Sequence, residues 1–107
     1  DGTAGSNVIE NLSDIAPDLA RYIIEFAFGQ IYERPGLSLQ ERELLTLSSL
    51  LTAGGCEAQL QVHINAALHV GIKEEKIIEA FLHCIPYTGF PKVLNAVAVA
   101  GQIFSGK

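Results

Sequence analysis

The chain has 107 residues, 49% of them hydrophobic and 18% charged, and a formal net charge of −5. That length suits one domain over residues 1–107, and its apolar content is rich for a small domain, which points to self-association. The Lys and Arg residues are scattered, so no basic face neutralises phosphates and no nucleic acid is expected as a partner. No apolar run approaches the roughly 20 residues of a membrane span, so no membrane is expected either.

Cys56 and Cys84 lie far apart and no CxxC is present. Nothing here makes a disulfide framework. With no secretory signal read, a reduced, cytoplasmic protein is expected.

Taken in chain order, Asp1 to Asn7 (DGTAGSN) reads as a loose terminus. A first long helix is predicted from about Pro17 to Tyr32, with Pro17 in its first turn and an apolar stripe of Leu19, Tyr22, Ile23, Phe26 and Ile31. Pro35 and Gly36 break the chain. Ser38 and Glu41 form an S-x-x-E capping box. It opens a second helix to about Ala53, which Gly54 and Gly55 end. A third helix is predicted from about Cys56 to Val70, and a fourth from Lys73 to just before Pro86. A fifth runs from about Pro91 to Ile103. The fold class is all-α, a compact bundle of about five to six helices with short connections.

Candidate chemistry lies on the third helix. Cys56 and His63 are seven residues apart, close to two turns, so they share a face roughly 10 Å apart along the axis. Gln59 lies between them on that side. In a first turn, Cys56 meets free N–H groups and the macrodipole, which favour a thiolate. Read alone, both residues are better explained as core side chains than as a site.

A carboxylate comes from the second helix, in the run ERELLTL. At 100° per residue, Glu43 lies roughly 70° from the centre of the leucines, Glu41 roughly 90° away, and Arg42 nearly opposite. The Gly54–Gly55 turn folds the second and third helices together, so Glu43 can meet His63 or Cys56. Its alternative is a solvated charge paired along its own helix. Tyr87, in YTGFPKVLNA, either packs over helix ends or offers a hydroxyl to a pocket beside the third helix. The three histidines do not converge in spacing, so no metal site is expected.

The stretch from Arg34 to Ala96 resembles the carboxymuconolactone decarboxylase family. The resemblance rests on RE at Arg42 and Glu43, CEAQLQVH at Cys56 to His63, the run from Gly71 to Glu79, and YTGFP at Tyr87 to Pro91. It implies an alkyl hydroperoxidase D-like fold around a helical hairpin, and assembly into homotrimers or homohexamers with sites near subunit boundaries. The activity it implies is cofactor-free loss of CO₂ from a γ-carboxylated muconolactone, in aromatic-acid catabolism. Glu43, Cys56 and His63 are then the catalytic candidates, with Gln59, Arg42 and Tyr87 toward the substrate.

The related alkyl hydroperoxidase D branch is a thiol peroxidase. Its motif is a glutamate, a C-x-x-C pair and a histidine. On this chain the motif falls on Glu43, Cys56 and His63, with Gln59 in place of the second cysteine. A two-cysteine cycle needs a resolving thiol, which here leaves Cys84 alone as a candidate. Decarboxylation is therefore preferred over thiol peroxidase chemistry. A non-catalytic oligomeric binder is the third reading.

Overall fold

The computed structural model describes residues 2–106, with side chains from Asn7 onward. The elements are α1 (Gly2–Ile15), α2 (Pro17–Tyr22), a π-helical segment (Ile23–Ile31), α3 (Leu39–Ala53), α4 (Glu57–His69), α5 (Glu74–His83), α6 (Ile85–Thr88) and α7 (Phe90–Ser105). Among the described residues there is no strand, and the all-α expectation holds.

The core is built where α3, α4, α5 and α7 meet. Leu47 and Leu51 of α3 face Leu60, Ile64 and Ala67 of α4, and Ile77, Phe81, Val93, Ala96 and Ala100 close the cluster. The alanines on α4 and α7 let those helices approach closely, while Leu47, Ile64, Ile77 and Phe81 carry the apolar volume. Phe81 is fully buried, and its removal would leave a large cavity in this cluster.

The capping box at the start of α3 forms as predicted. Glu41 N–H donates to Ser38 Oγ at 3.0 Å, and Ser38 N–H donates to Glu41 Oε1 at 2.8 Å. Gly54, at φ 75°, ends α3. A Cβ there would stand 3.1 Å from Lys92 Cε, so a side chain would be both strained and crowded. Lys92 Nζ lies over this turn and donates to the Thr52 carbonyl at 2.9 Å. The result is the expected hairpin of α3 and α4. Gln40 Nε2 fastens its open end, donating to the Val70 carbonyl at 2.9 Å.

Three expectations are corrected. The loose terminus is instead helical from Gly2 onward; Asp1 lies outside the described residues. Ile9 and Leu12, three apart and half-buried, give that helix an inner side. The fourth helix ends before Pro86, at His83, but Pro86 is not what stops it: it stands in the first turn of α6, where its missing N–H has no helical partner to lose. The Pro17–Tyr32 helix is α-helical only to Tyr22 and then widens into the π segment. Its last bond runs from Tyr32 N–H to the Ala27 carbonyl, at 3.0 Å.

The apolar stripe read at a 3.6-residue period does not face the core of this chain. Leu19, Tyr22, Phe26 and Ile31 are exposed and Ile23 is half-buried, while Ala20 is the buried residue of α2. Ile24 and Phe28 add to the outward apolar surface.

Candidate active site

Glu43 sits in the second turn of α3, one turn before Leu47, on the side that faces α4. It is 5% exposed, the one buried charged residue among those described. A carboxylate taken out of water needs a partner. That partner is His63 of α4, whose Nδ1 lies 2.9 Å from Glu43 Oε1. The histidine side chain keeps 18% of its surface exposed and the glutamate 7%. The pair thus has a dry end and an accessible end.

With the carboxylate accepting from Nδ1–H, the imidazole is fixed in orientation and Nε2 is its remaining functional atom. A histidine held in this way can deliver or accept one proton at a defined position. Glu43 compensates the positive charge when both ring nitrogens are protonated.

Cys56 is not part of this pair. It is the N-cap of α4 rather than a first-turn residue, and its side chain makes no cap hydrogen bond. Its thiol instead donates to the Gly54 carbonyl at 3.4 Å. Seven residues along a helix separate it from His63 by roughly 10 Å. Among the described residues, no hydrogen bond joins it to His63 or Glu43. The thiol is half-buried, whereas Cys84 is buried in the core and bonds back to the Ala80 carbonyl at 3.4 Å.

The three substrate-side candidates are scattered. Gln59 is exposed in the first turn of α4. Arg42 turns away from the pair, as its helical angle predicts, and donates from Nη2 to the Arg34 carbonyl at 2.8 Å. It therefore braces the ERPG turn, with its Nε buried and unpartnered. Tyr87 is 79% exposed on α6, its ring 5.6 Å from that of His83. Among the described residues there is no cluster of three or more metal-ligating side chains.

Sequence reasoning missed two residues beside the pair. Tyr32, at the end of the π segment, hydrogen-bonds through its hydroxyl to Thr46 Oγ1. Thr46 lies three residues after Glu43 on α3, the spacing of neighbours on one helix face. Burial holds the Tyr32 phenol above its usual ionisation range, and the charge of Glu43 adds to this; the Thr46 hydrogen bond and Arg42 work the other way. The signal available in the sequence was the position of Thr46 relative to Glu43. Nothing marked Tyr32, because its placement depends on the π geometry.

With this geometry established, comparison with known proteins is informative. Residues 17–102 match the profile of the carboxymuconolactone decarboxylase family. The chain belongs to the carboxymuconolactone decarboxylase family. It is 35% identical over 96 residues to the 4-carboxymuconolactone decarboxylase of Acinetobacter baylyi, covering 90% of this chain and 71% of the relative. It is also 35% identical over 99 residues to the nitrosuccinic acid decarboxylase of Metarhizium robertsii, covering 89% of this chain and 68% of that one. The match to the family takes in α2 through most of α7, and so contains both members of the buried pair of this carboxymuconolactone decarboxylase-family protein.

Proposed function

We propose that this protein is a cofactor-independent decarboxylase acting on a small carboxylated lactone of the γ-carboxymuconolactone type, with Glu43 and His63 as its catalytic pair. The observation that carries the reading is the buried carboxylate holding His63 Nδ1 at 2.9 Å, which leaves Nε2 for the substrate. The names of two relatives support it, because both are decarboxylases.

In the proposed reaction, the bond between the substrate carbon and its carboxylate breaks and CO₂ departs. The electron pair moves into the unsaturated lactone to give a dienolate. His63, as imidazolium, donates its Nε2 proton to carbon, and solvent returns a proton to the ring. Glu43 offsets the imidazolium charge and keeps the ring aimed. The sum is substrate carboxylate plus one proton giving product plus CO₂, with no electron acceptor needed.

Cys56 lines the approach to α4 in this reading and does not react. The thiol peroxidase alternative lacks a resolving thiol in view, since Gln59 replaces the second cysteine and Cys84 is buried on Ala80. Self-association into a homotrimer or homohexamer belongs to the same proposal. It is supported by the number of large apolar side chains left exposed on α2 and the π segment, among them Leu19, Tyr22, Ile24, Phe26 and Phe28, more than a small folded chain is expected to leave in water.

The test is turnover without added cofactor. Purified protein is offered γ-carboxymuconolactone and, in parallel, nitrosuccinate, and CO₂ release is followed. Release that disappears in His63→Ala supports the reading. Peroxide consumption coupled to a dithiol, with no CO₂ from either acid, contradicts it.

A further inference from the structure

Glu43 sits in a turn of α3 that is held mainly by polar contacts: the Ser38–Glu41 capping box, Gln40 on the Val70 carbonyl and Arg42 on the Arg34 carbonyl. Leu39, Gln40 and Glu41 are exposed, Arg42 and Leu44 are half-buried, and the fully packed core positions of α3 begin at Leu47. A catalytic carboxylate one turn outside the apolar core gains from any further contact that fixes its backbone. The structure supplies one from outside the hairpin.

Tyr32 is held at three points. Its N–H closes the π segment on the Ala27 carbonyl, its ring packs 5.3 Å from that of Phe28, and its hydroxyl bonds to Thr46. The direction of the last bond can be derived. Thr46 Oγ1 also lies 2.9 Å from the Arg42 carbonyl, and a carbonyl only accepts. The threonine has one hydroxyl proton. Both contacts are hydrogen bonds only if that proton goes to Arg42 and the phenol donates to Thr46. A directed chain therefore runs from Tyr32 through Thr46 to the carbonyl of the residue before Glu43.

We infer that Tyr32 is a positioning residue for the Glu43–His63 pair, acting through Thr46 to clamp the turn of α3 that carries the carboxylate. The phenol is well suited to this place. Its ionisation is pushed upward, first because it is buried and also because it would set a second negative charge near Glu43. The π segment has a use in the same arrangement. Its wider winding sets where Tyr32 emerges relative to α3, in keeping with the frequent placement of such turns at functional sites.

This inference rests on the pair being the active site, so its test includes a readout that needs no substrate. The ring Nδ1–H of His63, bonded to a buried carboxylate, gives a downfield proton signal in histidine-labelled protein, and its exchange with water is measured by NMR. In Tyr32→Phe the exchange becomes about tenfold faster, on the scale of losing roughly one neutral hydrogen bond. Thr46→Val produces the same change and tests the link from the other side if the phenylalanine variant disturbs the π segment. The double variant exchanges no faster than either single one, because one chain is broken in all three. Thr46→Ser, which keeps the hydroxyl, restores the slow rate. Thermal unfolding of each variant is followed alongside, and the change in exchange is expected without a matching loss of the fold. On a substrate that turns over, the same variants lower kcat and leave KM unchanged.

Wild-type exchange in Tyr32→Phe, multiplying effects in the double variant, or failure of Thr46→Ser to restore the rate overturns the clamp. A complete absence of turnover, with the exchange pattern intact, overturns the decarboxylase reading and leaves the clamp standing.

Discussion

Glu43 of α3 and His63 of α4 face each other across the hairpin, with Oε1 and Nδ1 2.9 Å apart and the carboxylate almost wholly buried. The relationship is sequestered on one side and open on the other. It gives the hairpin a chemical use beyond packing, because the accessible end of the imidazole is oriented by a group that water does not reach.

Replacing the carboxylate by an amide separates charge from shape. Glu43→Gln keeps the volume and one hydrogen-bonding oxygen but cannot balance an imidazolium. We expect kcat to fall by at least about tenfold, within the range that a general acid supplies, while the far-UV circular dichroism stays helical. Steady-state kinetics beside the circular dichroism spectrum checks this. Unchanged kcat would mean that the carboxylate serves packing alone.

Cys56 decides between the two chemistries that the sequence left open. Its thiol bonds to the Gly54 carbonyl and to neither member of the pair. Cys56→Ser is expected to retain CO₂ release within about threefold of wild type, a change of about 0.6 kcal/mol. Loss of all turnover in this variant would return the thiol to the centre of the mechanism.

The outward apolar face of α2 and the π segment makes a prediction about mass. Phe26 is 56% exposed in the isolated chain. If that face is covered by another copy, Phe26→Glu buries a charge in the contact and drives the assembly toward smaller species. Size-exclusion chromatography with light scattering reads the result. An unchanged mass would place the contact elsewhere.

Stability at alkaline pH depends on Tyr32. Its folded-state ionisation lies above the ordinary value of 10.0, first because it is buried and then because Glu43 is near. The folded state thus holds the phenolic proton more tightly than the unfolded chain. The resulting stability is fully present below pH 10.0 and is lost as pH rises through the folded value. Urea unfolding of wild type and Tyr32→Phe on either side of that pH is the check. The wild-type free energy should fall more steeply, and parallel curves would contradict the assignment.

The hairpin was legible in the sequence because its signals are local. Ser38 with Glu41, and Gly54 with Gly55, mark the helix ends by backbone chemistry that acts within a few residues. The sequence could bring Glu43 to the third helix, because a tight turn between two helices leaves little choice of facing side, but it left His63 and Cys56 both open as its partner. The π segment was not legible. A periodicity argument assumes 3.6 residues per turn, and from Ile23 to Ile31 the chain does not wind that way. The error hid Tyr32, while Leu19 and Tyr22, which precede the π segment, are exposed on an ordinary α-helix. Helix α6 was missed for another reason: Pro86 reads equally as a stop or as a first-turn residue, and tertiary packing chooses. Cys56 lies one residue outside the observed helix, as its N-cap and not in its first turn, and its thiol bonds to a carbonyl instead of the helix amides.

The most direct measurement is the rate of CO₂ release by wild type and His63→Ala on γ-carboxymuconolactone, with no cofactor added and the assembly state of both proteins recorded. The account predicts a loss of about 10²-fold to 10⁴-fold in kcat, with the variant still helical and of wild-type mass. Full activity in His63→Ala would contradict the Glu43–His63 site.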